Sequence, residues 1–216
     1  LNDLQNIECV YLTGAEPMTH PDFNLILRLC LQCTNVCIFT NGSFINEKKA
    51  RFLKKVEDES DYQIIFKLSI DHYNEIKNDE IRSRGSYRQV INAVKSLVKY
   101  DFSPILAITD YYEEGKNKLV EEFKNIFKKY EIDLQDYNFK VNSKYQYNEL
   151  SKLSWESLDC EYGRILTEKG IYTCPFLAND HRGRCGSSFK DFSQKNNLET
   201  DFCTTCIKNK VAMFSL

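Results

Sequence analysis

Up to about residue 143 the apolar positions alternate between short continuous runs and a repeat of three to four residues, the two signatures of buried strand and amphipathic helix. Ile7 to Thr13 is a short apolar run that stops at Gly14, where a turn must begin. Behind it Pro21 suits a first helical position, and Phe23, Ile26, Leu27, Leu29 and Cys30 recur at helical spacing, which predicts a helix over roughly 21–33. Val36 to Thr40 reads as a second strand closed by Asn41-Gly42, and Asn46 can cap a helix whose apolar positions are Ala50, Phe52, Leu53 and Val56. A third strand spans Tyr62 to Ile70 and ends in Ser69-Ile70-Asp71. Ser86 with Gln89 reads as a capping box, and Val90, Ile91, Val94, Leu97 and Val98 form one apolar stripe behind it. Ile105 to Thr109 is a strand, Leu119, Val120, Phe123, Ile126, Phe127 and Tyr130 make the next amphipathic helix, and Tyr137 to Val141 is a further strand.

Strands alternating with helices in this way specify an α/β protein with a parallel sheet and helical crossovers, either an open doubly wound sheet or a closed or partial barrel. After residue 142 the rhythm stops. The stretch from Ser143 to Leu216 is rich in Gly, Cys, Asn and Ser and holds five of the nine cysteines, which predicts a small appended domain organised around something other than a large core.

Composition narrows the classes. With 29 Lys and Arg against 31 Asp and Glu in 216 residues, there is no electrostatic argument for nucleic acid or an anionic membrane as partner. No run approaches the ~20 apolar residues that span a bilayer, and the start lacks the pattern of a signal peptide, so a cytoplasmic protein is expected. An odd count of nine cysteines in that setting argues against a disulfide framework and toward metal, redox or buried thiols. The first residue is Leu1 and not Met, from which the chain is expected to be a piece of something longer.

Ligands of parallel α/β sheets bind at the carboxyl ends of strands. Three such ends carry polar or Gly-containing sequences: Gly14-Ala15-Glu16-Pro17, Thr40-Asn41-Gly42 and Ser69-Ile70-Asp71. Gly14 permits close approach of backbone to a ligand, Glu16 offers a carboxylate to an ammonium, and Ser69 and Asp71 can hydrogen-bond a sugar hydroxyl. Ordinary turn chemistry and helix capping use the same residue types.

Together these segments resemble the radical S-adenosylmethionine enzymes. Tyr11-Leu12-Thr13-Gly14-Ala15-Glu16-Pro17, continuing through His20-Pro21-Asp22-Phe23, is similar to that family's GGEP motif and the HPDF that follows it. Phe39-Thr40-Asn41-Gly42 resembles its TNG element, Leu68-Ser69-Ile70-Asp71 its serine-plus-acid strand, and Arg82-Ser83-Arg84-Gly85-Ser86-Tyr87 its RGxGSF lead-in to a helix. The resemblance implies a partial (β/α)6 TIM-type barrel over residues 1–142, lacking its first strand, that holds S-adenosylmethionine across its mouth. It implies that the backbone of Gly14 and Ala15 with the carboxylate of Glu16 takes the methionine amino group. Ser69 and Arg82 would contact the methionine carboxylate or ribose, with Thr40 and Asp71 nearby. Ala15 replaces the usual second glycine, and Ser83 replaces another.

The family's CxxxCxxC loop, whose thiolates hold the catalytic [4Fe-4S] cluster, is absent. Cys30, Cys33 and Cys37 have the spacings in reversed order and span a helix end and a strand, so they are read, with Cys9, as buried thiols. The catalytic cluster is therefore expected only in a missing N-terminal segment, and the chain alone is expected to be inactive. In the tail, Cys160, Cys174, Cys203 and Cys206 form a four-thiolate set with one CxxC pair, which spacing alone divides between structural zinc and iron-sulfur. Gly170 ahead of Cys174 and the later CxxC resemble the short twitch form of the SPASM extension, which implies an auxiliary [4Fe-4S] cluster over residues 143–216; Cys185 is left unassigned. The implied activity is reductive cleavage of S-adenosylmethionine to a 5′-deoxyadenosyl radical that abstracts hydrogen from a peptide or small-molecule substrate, with a flavodoxin or ferredoxin as electron donor. The alternative is a non-catalytic binding module with a zinc-stapled tail.

Overall fold

The computed structural model describes residues 7–143, 163–188 and 191. The chain divides into two compact units, Leu1–Lys144 and Tyr145–Leu216.

In the first unit five strands, β1 (Cys9–Leu12), β2 (Asn35–Thr40), β3 (Ile64–Ser69), β4 (Ile105–Asp110) and β5 (Phe139–Ser143), form one parallel sheet in the order β1-β2-β3-β4-β5. Each crossover thus lands on the next strand. A doubly wound sheet reverses its strand order at a switch point, and this sheet has no reversal. The connecting helices are α1 (Phe23–Cys30), α2 (Glu47–Asp58), α3 (Glu75–Ile81), α4 (Ser86–Lys99) and α5 (Lys116–Lys128).

Alternation along the strands divides their side chains. Val36, Ile38, Ile64, Phe66, Leu68, Leu106, Ile108 and Phe139 enter one core with the inward faces of the helices, including Leu27, Leu53, Val94, Leu97 and Phe123. Phe66 meets Phe102 edge-on at 4.9 Å between centroids, and Phe123 stacks beside Phe139 at 6.4 Å, both geometries favoured by the ring quadrupole. The opposite parity, such as Tyr11, Phe39, Lys67, Ser69 and Ala107, stays outside that core.

The predicted elements are present with shifted ends. Asn46 caps α2 by accepting from Lys49 N at 2.9 Å, as its position implies. The helix predicted over 21–33 runs only from Phe23 to Cys30, because Pro21 and Asp22 are spent in the preceding turn and Cys33 N and Thr34 N both bond Cys30 O. The capping box predicted at Ser86 is not formed. Gly85, at φ 86°, is the N-cap, and the free N–H groups are taken by Asp79 from the preceding helix. That helix, α3, escapes an apolar pattern search because Asn78 is its buried residue while Ile76 is 69% exposed.

In the second unit β6 (Ile165–Thr167), β7 (Gly170–Tyr172) and β8 (Arg184–Gly186) form an antiparallel sheet in that order. Gly170 sits at φ 134°, and a Cβ there would press on Gly186 O at 2.5 Å, so both conformation and space demand glycine. No described helix is long and apolar enough to cross a membrane.

Phe123 is fully buried at the centre of the core. Phe123→Ala is expected to lower unfolding free energy by about 3–5 kcal/mol through lost transfer energy and a cavity, measured by urea denaturation followed by circular dichroism.

Candidate functional site

The carboxyl ends of β1 to β4 open on a polar cleft of about 380 Å³. Its walls are Ala15 after β1, Asn41 after β2, Ser69 and Asp71 at the end of β3, Ile81, Arg82 and Ser83 after α3, Ser86 and Gln89 on α4, and Tyr111 after β4. Of the residues singled out from sequence, Ala15, Ser69, Asp71 and Arg82 line it. Gly14, at φ 139°, is exposed beside Ala15 with open space where a Cβ would be. Asn41, named from sequence only within the Thr40-Asn41-Gly42 strand end, and Gln89, read only as half of a capping box, also line it, and Tyr111 was missed, since a Tyr in a loop carries no motif by itself.

Glu16 and Thr40 lie beneath the cleft and brace it. Glu16 is 8% exposed and Thr40 3%. The Thr40 hydroxyl donates to both carboxylate oxygens at 2.9 Å, Asn41 N donates to Oε2 at 2.9 Å and Met18 N to Oε1 at 3.2 Å. Thr40 Oγ1 accepts in turn from Gly42 N at 3.0 Å. One buried carboxylate thereby fixes the turns after β1 and β2 to each other. Gly42, at φ 78°, passes so close to α4 that a Cβ would stand 3.1 Å from Ala93 Cβ.

On the other side, Asp71 is 3% exposed and fully engaged. Its Oδ1 accepts from Thr109 N of β4 at 2.9 Å, and its Oδ2 pairs with Arg82 Nε at 2.7 Å. The pair aims the Arg82 guanidinium into the cleft, where its planar fork of donors suits a carboxylate or vicinal hydroxyls. Asn78, fully buried, supports this arrangement: Oδ1 accepts from Asp71 N at 2.9 Å and His72 N at 3.4 Å, and Nδ2 donates to Ser86 Oγ at 2.9 Å. Burial works to raise the Asp79 carboxyl, but hydrogen bonds from Tyr87 N, Gly85 N, Asn78 and Ser86 outweigh it and hold it below the usual carboxylate range.

Another largely buried acid anchors the outer loops. Glu114 accepts from Lys118 Nζ at 2.8 Å, Lys77 Nζ at 2.7 Å, His72 Nε2 at 3.0 Å and Tyr73 OH at 2.8 Å. His72 Nδ1 accepts from Asn74 N at 2.9 Å, so Nε2 is the ring nitrogen that donates to Glu114. The bonds from Lys118 and Lys77, with those from His72 and Tyr73, push the Glu114 carboxyl well below the ordinary value against its burial. The network ties the loop after β3, which carries Asp71, to the loop after β4, which carries Tyr111.

Of the four thiols read as buried, Cys30 and Cys37 are buried and Cys9 and Cys33 are half-buried. Burial pushes Cys37 up to about 12 and raises Cys9 and Cys30, which keeps them protonated and poor metal ligands. In the second unit Cys174 is buried just after β7, and Cys185 Sγ lies 3.2 Å from Thr173 Oγ1. Cys160, Cys203 and Cys206 lie outside the described residues.

The sequence profile of the radical SAM superfamily matches residues 1–129. Among curated protein sequences none matches. Solved structures of native anSMEcpe with bound AdoMet and the Cp18Cys peptide, or AdoMet and the Kp18Cys peptide, match with TM-scores of 0.60 and 0.58 at 14% identity, over 90% and 86% of this chain and 69% and 67% of theirs. A histidine-tagged anSMEcpe with bound AdoMet matches with a TM-score of 0.50 at 16% identity, over 70% of this chain and 40% of its own. The chain therefore spans between two fifths and about two thirds of the length of these relatives, and at such identities the likeness is one of fold.

The Glu114 network generates a pH-dependent prediction. A carboxyl whose folded value is depressed stabilises the fold fully above its unfolded value of about 4.3 and loses that contribution as pH falls toward the folded value. Glu114→Gln is expected to cost about 2 kcal/mol at neutral pH, where hydrogen bonds to a charged partner are lost. The gap between wild type and variant in thermal or urea unfolding stays constant down to about pH 5 and narrows below about pH 4.

Proposed function

Because the chain belongs to the radical SAM superfamily, we propose that its five-stranded sheet is part of a (β/α)6 barrel and that the cleft at the strand ends holds S-adenosylmethionine. One observation carries this reading: Ala15, Ser69, Asp71 and Arg82, from separate strand ends and a helix end, converge on a single polar cleft. The cleft has the volume of a small-molecule site. Arg82, aimed by Asp71, supplies charge-assisted hydrogen bonds to the methionine carboxylate, and the Ser69 hydroxyl donates to the same carboxylate or the ribose. The open backbone at Gly14 and Ala15 receives the amino group. Glu16, its oxygens already engaged by Thr40, Asn41 and Met18, holds that turn in the receiving conformation.

Among the described residues no three Cys, His or carboxylate side chains come together as a metal site. The activity proposed for the intact protein is reductive cleavage of S-adenosylmethionine to a 5′-deoxyadenosyl radical that abstracts hydrogen from the substrate, with a flavodoxin or ferredoxin as electron source. A peptide substrate is supported by the anSMEcpe structures, which bind peptides beside AdoMet. In the second unit Cys160, Cys174, Cys203 and Cys206 are assigned to an auxiliary [4Fe-4S] cluster, for which soft thiolates are the fitting ligands. The Gly-, Cys-, Asn- and Ser-rich composition of residues 143–216 supports this, since a small domain gains from a metal staple.

Isothermal titration of S-adenosylmethionine tests the cleft. Saturable binding is expected, weakened about tenfold or more by Arg82→Ala and several-fold by Ser69→Ala, in line with hydrogen bonds to charged groups; wild-type protein that never saturates would overturn the assignment. The tail is tested by anaerobic reconstitution with iron and sulfide. Brown iron-sulfur absorbance that Cys174→Ser diminishes supports the cluster, and stoichiometric zinc with no such absorbance refutes it.

A further inference from the structure

Two carboxylates stand at the cleft, and the protein itself engages both. Glu16 accepts from the Thr40 hydroxyl, Asn41 N and Met18 N, and Asp71 accepts from Thr109 N and pairs with Arg82. The motif resemblance gives the ligand contact of the β1–β2 side to Glu16, but the structure puts Asn41 on the cleft wall and Glu16, nearly buried, behind it. Asn41 is held at both ends: its N–H donates to Glu16 Oε2 at 2.9 Å, and its side-chain Oδ1 accepts from Ser43 N at 2.9 Å. A backbone N–H needs an acceptor, so the atom facing Ser43 is the carboxamide oxygen, and the two N–H donors on Nδ2 remain. Nδ2 has no partner among the described residues. The next residue, Gly42, fixes the turn by donating from N to Thr40 Oγ1 at 3.0 Å and by packing against Ala93 of α4 where no Cβ would fit freely. Asn41 thus offers donors only, from a turn already ordered, which leaves little ordering cost for binding.

The cleft wall follows the order of the sheet, with Ala15 after β1, Asn41 after β2, and Ser69 and Asp71 at the end of β3. Neighbouring strands lie about 4.8 Å apart. An α-amino acid carries its ammonium and its carboxylate on one carbon, close enough for the two groups to meet adjacent strand ends. The negative charge of Glu16 draws an ammonium to the β1 turn, and the Arg82 guanidinium, held from the β3 side by Asp71 at 2.7 Å, draws a carboxylate away from it. The wall residue between these two charges is Asn41, and its free atoms are N–H donors.

We propose that Asn41 is a specificity-determining residue of this site: its Nδ2 donates to the ligand's α-carboxylate from the β2 side while Arg82 grips the same carboxylate from the β3 side. The inference rests on the cleft being the S-adenosylmethionine site, and it names the residue by which that site tells an α-amino acid from a simple amine. Asn41 cannot turn its oxygen to the ligand without stranding Ser43 N, so its preference for an acceptor is fixed by the turn. A ligand without the carboxylate leaves these donors and the guanidinium with no anion to bind, which is the condition under which a polar site rejects an analogue strongly.

The test titrates the intact protein by calorimetry with S-adenosylmethionine and with its decarboxylated analogue, which keeps the nucleoside, the sulfonium and the amine. Wild type is expected to prefer S-adenosylmethionine by about a hundredfold, from two sets of donors on one anion. Asn41→Asp keeps an acceptor for Ser43 N and removes both donors; it is expected to weaken S-adenosylmethionine about a hundredfold and to leave the analogue within about threefold. Asn41→Ser, neutral and shorter yet still able to accept from Ser43 N, is expected to weaken S-adenosylmethionine about tenfold with the analogue again unchanged. Circular dichroism checks both variants for the fold, and either one that folds decides. Equal losses for the two ligands, or no loss for either, overturn the proposal, because Asn41 then serves the fold or the nucleoside and not the carboxylate. Wild type that binds S-adenosylmethionine while the variants keep its preference refutes this inference alone, whereas wild type that binds neither ligand refutes the site and this inference with it.

Discussion

Beyond Ile70, which still bonds Ala107 O of β4, the chain leaving β3 must satisfy the N–H groups of Asp71 and His72 away from any strand partner, and one side chain of the helix that follows meets that constraint. Asn78 is fully buried, accepts from the N–H groups of Asp71 and His72, and donates to Ser86. Buried polar groups are tolerable only when paired, so the fixed geometry of this amide dictates where the β3 exit, α3 and the start of α4 lie. Asp71 reaches both Thr109 N and Arg82 only from that position. The next residue, Asp79, extends the same logic to α4 by bonding Gly85 N and Tyr87 N. The cleft-lining cation is thus the last link of a chain that begins at a neutral amide.

The opposite wall is built by the same means with different chemistry. Glu16 joins the turns after β1 and β2, as Asn78 joins those around α3 and α4. Glu114 joins the loops after β3 and β4 through four donors. In each case a nearly buried acceptor sits between two loops that share no secondary structure. Loops of this kind carry few apolar contacts, and directional bonds to a desolvated acceptor are the means by which they hold a defined shape.

That division explains what the sequence made legible. The sheet and four of its helices follow from local periodicity, because Val90, Ile91, Val94 and Leu97, or Phe123 and Phe127, report their own burial through spacing. Gly14, Glu16, Thr40, Ser69, Asp71 and Arg82 were legible as a constellation at strand ends. Their division into lining and bracing residues was not, since whether Glu16 faces a ligand or Asn41 N depends on a partner 25 positions away. Helix α3 was missed for a related reason: its buried position is an asparagine, and pattern searches count apolar residues. The capping box at Ser86 failed because the helix is capped one residue earlier, at Gly85: Gln89 N bonds Gly85 O and Ser86 N bonds Ser83 O. Tyr111 and Gln89 enter the cleft wall through tertiary placement alone.

The cysteines show that residue type fixes chemistry only together with surroundings. A thiol ligates metal as thiolate. Where Cys37 sits in the sheet, burial pushes it up to about 12, so ionisation at neutral pH is disfavoured by several powers of ten. Cys9 and Cys30 are raised by the same cause. A metal could overcome such a penalty only if several thiols shared it, and the strand geometry sends Cys37 to the side opposite the helical core, while Cys30 packs inside that core. The CxxCxxxC run of the first unit is therefore divided between two faces of one sheet. Its spacing is an accident of a helix followed by a strand.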